Sequence, residues 1–180
     1  MNYFSNLWDV LLLFLVPIGG GIPGGVLLAK TKGFGWPVMM ILYFISDVIL
    51  AIAFEPIMIL FIKLGKKIQF FARIGEMMKH MVKKTIEHYG NKSGVLPLIM
   101  IAFGVDPMTG RGVAAVAGHG FLTGWMIAIA GDMIYFTVLM ISTLWVKSLI
   151  GNEFVTILII LVIMIIFPQI YRRLQNKFTK

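Results

Sequence analysis

Two long stretches of this chain are almost free of charge. Residues 37–62 and 124–146 are apolar over enough positions for a helix to cross a hydrocarbon core about 30 Å thick. A third run, 154–170, with Pro168 near its end, leads into a basic tail, residues 171–180. Three spanning helices are predicted here. Shorter, interrupted runs precede two of them. Leu11 to Val16 is apolar, Pro17-Ile18-Gly19-Gly20-Gly21-Ile22-Pro23-Gly24-Gly25 breaks it, and Val26 to Ala29 resumes. Val95 to Phe103 is too short to span and ends in Asp106-Pro107-Met108-Thr109-Gly110-Arg111. A chain that enters a membrane, breaks and turns back has this pattern. Irregular backbone survives at that depth only where protein buries it or a wet cavity lines it. Residues 10–30 and 95–123 are therefore predicted as re-entrant hairpins, with a single spanning helix the competing form for 10–30. Gly24, Gly25, Gly110 and Gly112 are assigned to their tight turns.

Between the two halves the pattern changes. Ile68, Phe70, Phe71, Ile74, Met77, Met78, Met81, Val82 and Ile86 recur at three- and four-residue spacing, with Lys66, Lys67, Arg73, Lys79, Lys83 and Lys84 mostly opposite. Residues 63–92 thus predict a basic amphipathic helix lying in the membrane interface. A helix packed on the protein itself or on a second copy competes with that form. Residues 1–9, with Tyr3, Phe4 and Trp8, suit the head-group layer.

The two halves also resemble each other. A shift of 87 positions pairs Gly25-Val26 with Gly112-Val113, Lys32 with His119 and Gly33-Phe34 with Gly120-Phe121. A two-residue indel then pairs Asp47-Val48-Ile49 with Asp132-Met133-Ile134. Internal repeats mark many transporter folds. The predicted fold is an all-α integral membrane protein in one membrane domain, residues 1–180. It is an inverted repeat of re-entrant hairpin plus transmembrane helix (10–62 and 93–147), with the amphipathic segment 63–92 between the copies and a final span and tail at 153–180.

Composition narrows the class. The chain is 59% hydrophobic and 13% charged, with no cysteine, which excludes an ordinary soluble domain, a disulfide framework and thiol chemistry. The N-terminus lacks the basic region of a cleaved signal, so the first hydrophobic segment is expected to be retained. A net charge of +8 could suggest nucleic acid, but the basic residues flank the apolar spans, where they set orientation and meet anionic lipid. No nucleic-acid partner is expected. The positive-inside rule places segment 63–92 and the C-terminus in the cytoplasm. The hairpins then dip in from opposite faces of what is expected to be a prokaryotic cytoplasmic membrane.

Ionisable groups at membrane depth are costly and normally face a partner or a cavity. Asp47 and Asp132, at matching repeat positions, are the first candidates for proton coupling, and Glu55 is the third. Capping of a broken helix end is the structural alternative for the two aspartates, and Glu55, before Pro56, could cap a kink. Arg111, Asp106 and Thr109 are candidates for substrate binding, since a guanidinium fork suits phosphate. Arg111 and Asp106 could instead only knit the hairpin together. His119 is expected to hydrogen-bond near the interface. Metal, cofactor and catalytic motifs are not seen, and no enzymatic activity is expected.

Ile22-Pro23-Gly24-Gly25, and Pro107-Met108-Thr109-Gly110-Arg111 followed by Ala117-Gly118, resemble the DedA-like (VTT-domain) superfamily, nearest its small multidrug export branch. The resemblance covers roughly residues 10–150. It implies opposed re-entrant hairpins, movement of lipids such as undecaprenyl phosphate or aminophospholipids driven by the proton motive force, an acidic coupling role for Asp47 and a head-group contact for Arg111. Two features depart from the family pattern: Gly25 stands where an acid often follows Pro-Gly, and Arg111 stands where two arginines are usual. The expected function is a small transporter, proton-coupled, that moves a lipid or other amphiphile, with membrane lipids as partners and a homodimer as one assembly. An ion channel with a pore at the hairpin tips and a non-transporting membrane scaffold are the alternatives.

Overall fold

The structure, a computed structural model, describes residues 3–16, 21–65, 73, 76, 77, 80, 99 and 107–178. Every element among the described residues is an α-helix: α1 (Tyr3–Leu15), α2 (Gly21–Thr31), α3 (Trp36–Gly65), α4 (Pro107–Val116), α5 (Phe121–Ile150) and α6 (Glu153–Phe178). Within α3, Trp36–Ile57 is long and apolar enough to cross a membrane, and so is the whole of α5. Large apolar side chains such as Ile41, Ile52, Leu122, Met126, Ile141 and Trp145 stand exposed along them. Asp106 and most of the basic segment that follows Gly65 lie outside the described residues.

The chain forms two compact units, one of Met1–Leu42 with Thr137–Lys180 and one of Tyr43–Phe136. In the first unit α1 and α2 pack against each other, and α2 also packs against α6. At 13 and 11 residues and 1.5 Å per residue, each is too short to cross a bilayer alone. The sequence places the start of the first element at residue 10, but α1 begins at Tyr3. The added turns are held in place: Lys32 donates to Asn6 Oδ1 and Asp9 Oδ2, each at 2.8 Å, and the Tyr3 ring meets Phe34 edge-on.

The glycines assigned to hairpin turns are not in turns. Gly24 and Gly25 lie inside α2, and Gly110 and Gly112 inside α4. Likewise the polar run Pro107 to Arg111 is the first half of α4 and not irregular backbone. Proline explains both outcomes, because in the first helical turn its missing N–H has no intrahelical partner to lose. Pro107 opens α4 and Pro23 sits in the first turn of α2. Gly25 serves close packing instead of turning, since a Cβ there would collide with the edge of the Phe14 ring. Gly25→Val is therefore expected to cost about 1–3 kcal/mol through overpacking, read as a lowered Tm in detergent. Adding Phe14→Leu should return much of the loss.

The repeat is present in local structure, with a corrected register. Helices α2 and α4 end alike: Gly33 (φ 82°) and Gly118 (φ 89°) are both left-handed. The N–H of Phe34 bonds to Ala29 O as that of His119 bonds to Ala114 O, both at 2.9 Å. Gly33 to Lys30 O and Gly118 to Ala115 O, both at 3.0 Å, complete the same C-terminal motif twice. Lys32 to Leu28 O matches Ala117 to Val113 O, and Met39 to Gly35 O matches Gly124 to Gly120 O. All these pairs stand 85 apart, as do the starts and ends of α3 and α5, each 30 residues long. No indel is needed to bring Asp47 onto Asp132. His119 corresponds to Phe34 and not to Lys32.

Candidate functional site

Helix α3 carries a stripe at four-residue spacing, Tyr43, Asp47, Ala51 and Glu55, which one helical face presents in a row. In the second unit this stripe meets α5 in antiparallel sense. Tyr43 stacks on Phe136 with ring centroids 4.0 Å apart. One turn on, the Asp47 side chain lies beside that of Asp132. Ala51 then packs in one cluster with Ala128 and Trp125, and Glu55 accepts from the Trp125 indole N–H at 2.6 Å. As the α3 numbers rise, the α5 numbers fall. Small residues at the Ala51 and Ala128 level let the two helices approach closely.

Asp47 and Asp132 thus occupy equivalent positions of the two repeats and also touch each other. Both are buried, at 1% and 3% exposure. A carboxylate has no donor, so two carboxyl groups set side by side can hydrogen-bond only when one of them is protonated. Two ionised carboxylates this close in a buried site would repel strongly. The Tyr43 hydroxyl donates to Asp132 Oδ2 at 2.8 Å, whereas Asp47 Oδ2 is buried without a partner among the described residues. The equivalence is therefore broken chemically. Tyr43 corresponds to Ala128 in the other copy, so the phenol that meets Asp132 has no counterpart at the equivalent position facing Asp47. The Tyr43 hydroxyl holds one oxygen of the pair, and Asp47 Oδ2 is left over.

Two helical turns along the stripe, roughly 12 Å, lies a second polar cluster. The Arg111 guanidinium grips Glu55 with two N–H groups, Nη2 to Oε1 at 3.0 Å and Nε to Oε2 at 3.2 Å. Both partners are buried, at 4% and 8% exposure. A bidentate charged pair completed by an indole donor has the geometry in which a buried ion pair is best compensated. Arg111 is set in the middle of α4, where each residue from Gly110 to Ala114 is buried. It is wedged against Gly124, where an added Cβ would lie 2.9 Å from Nη1 and 3.1 Å from Cδ. Its Nη1 is buried and has no partner among the described residues.

The candidate residues are thereby sorted. Asp47 and Asp132 come together, and Arg111 and Glu55 form the second site. Asp106, five residues before Arg111 in sequence, lies outside the described residues. Thr109 is half-buried in the first half of α4, and half-buried His119 follows that helix. α3 continues through Pro56, and the Glu55 carboxylate is engaged by Arg111 and Trp125. Two participants escape a reading based on charge alone, Tyr43 and Trp125. Spacing could have found them: Tyr43 stands one turn before Asp47, and Trp125 two turns before Asp132.

Comparison with family models, curated proteins and solved structures finds no match to this chain.

Proposed function

We propose that this chain is a small proton-coupled membrane transporter that moves a lipid or other amphiphile past the polar seam between α3 and α5. The single observation that carries this proposal is the buried Asp47–Asp132 pair, formed by equivalent residues of two repeats on two antiparallel apolar helices. In a non-transporting scaffold two apolar side chains would pack that seam with less cost, because buried polar groups need every partner satisfied. Antiparallel packing of equivalent helices is also what an inverted repeat in a membrane requires. The short packed pair α1 and α2 suits a hairpin that dips into the bilayer without crossing it, and the exposed apolar faces of α3 and α5 suit lipid. In this proposal the aspartate pair carries protons and Arg111 contacts an anionic group of the substrate through its unused Nη1. The chain sits in a prokaryotic cytoplasmic membrane with its C-terminus inside, as a relative of the DedA-like proteins it resembles.

The test is movement of fluorescent lipids, a polyprenyl phosphate among them, in proteoliposomes. The wild type should move lipid above the level of empty liposomes, and Asp132→Asn and Arg111→Gln should not. Equal movement in wild type and empty vesicles would sink the proposal.

A further inference from the structure

The ion pair at Arg111 has a feature that a purely structural bridge does not need. Glu55 engages one edge of the guanidinium, Nε and Nη2, and leaves both N–H bonds of Nη1 idle in a buried position. An idle buried donor is costly, and the guanidinium lies so close to Gly124 that a Cβ there would meet Nη1 at 2.9 Å. The Trp125 indole donates to Glu55 Oε2, and the carbonyl oxygen of a neutral carboxyl still accepts such a bond, more weakly than a carboxylate. Glu55 therefore keeps a partner even when Arg111 is withdrawn from it.

Resting on the transport proposal above, we infer that Glu55 is a resident stand-in for the substrate's anionic group, and that a monoanionic phosphodiester displaces it from Arg111 while Glu55 binds one proton. The incoming oxyanion first meets Nη1, then takes over the Nη2 donor. A carboxylate stripped of its guanidinium in a buried site is neutralised by a proton from solution, which replaces Arg111 as its compensating partner. Charge balances throughout. Before exchange the site holds one guanidinium and one carboxylate. Afterwards it holds one guanidinium, one bound anion and one neutral carboxyl, so one proton enters with each anion. Among the described residues, the charged group facing Glu55 from the packed elements is Arg111 of α4. The α5 residue against it, Trp125, does not titrate, and the Asp47–Asp132 pair lies two turns away on the same stripe.

The experiment uses the full-length protein in detergent, weakly buffered with a pH-indicator dye. Two probes share the phosphodiester monoanion: dihexanoyl phosphatidylglycerol, which has acyl chains, and dimethyl phosphate, which has none. The wild type should take up about one proton per phosphatidylglycerol bound, and its affinity should weaken about tenfold per pH unit wherever binding consumes that proton. Glu55→Gln should bind without proton uptake and with a flat pH dependence. An infrared difference spectrum of the wild type should gain a protonated-carboxyl band on probe addition, a readout that needs no variant. Equal responses to dimethyl phosphate would assign the site to a free phosphodiester instead of an anchored head group, with the exchange intact. Binding with no proton uptake and no new carboxyl band overturns the exchange while leaving Arg111 as an anion contact. No binding of either probe overturns both.

Discussion

Arg111→Met alone is expected to destabilise the protein by about 3–5 kcal/mol, the cost of leaving one partner of a buried ion pair uncompensated. The loss comes less from the missing attraction than from the carboxylate left behind. Glu55 would stay at the level of Trp125, buried, with one indole donor in place of three N–H bonds. The double variant Arg111→Met with Glu55→Gln should therefore be much more stable than Arg111→Met by itself. Glutamine still offers an oxygen to the indole, and no charge remains to be neutralised. Thermal unfolding in detergent, followed by the emission of the four tryptophans, measures this directly. Additive losses in the double variant would mean that the two side chains are not coupled.

The second large effect is expected at the aspartates, and on activity. Asp132→Asn and Asp47→Asn should each lower gradient-driven transport at least about tenfold, which corresponds to about 1.4 kcal/mol or more on the rate-limiting barrier. Their effect on Tm should be small. An asparagine amide can donate to the remaining carboxylate, and at position 132 its oxygen still accepts from Tyr43, so the seam stays hydrogen-bonded. What is lost is the exchangeable proton. A variant that folds with wild-type stability and transports at the wild-type rate would show the pair to be structural.

The long helices were legible because their signal is additive. α3 and α5 are uncharged over so many positions that no turn residue interrupts the pattern, and Pro56 alone does not end α3. The equivalence of Asp47 and Asp132 was visible too, but its register was not. Matching Gly33 to Gly120 treats all glycines alike, whereas only those with positive φ, Gly33 and Gly118, end the two short helices. Backbone conformation is not written in composition. The same ambiguity misplaced Gly24, Gly25, Gly110 and Gly112, since glycine permits a turn and also permits close packing. Pairing within the site was hidden for a different reason. Asp106 is five residues from Arg111, and proximity in sequence favoured it, yet the carboxylate that Arg111 holds in the structure is 56 residues away. Only the packing of α3, α4 and α5 brings Glu55, Arg111 and Trp125 to one place.

The most direct test of proton-driven movement is the response of the wild type to a reversed pH gradient. Proteoliposomes are loaded with a fluorescent amphiphile and given first an acid interior, then an acid exterior. Net movement should reverse direction with the gradient and disappear with a protonophore. Movement at the same rate and in the same direction under both gradients, or conductance far above carrier turnover, would contradict proton coupling and point to a channel.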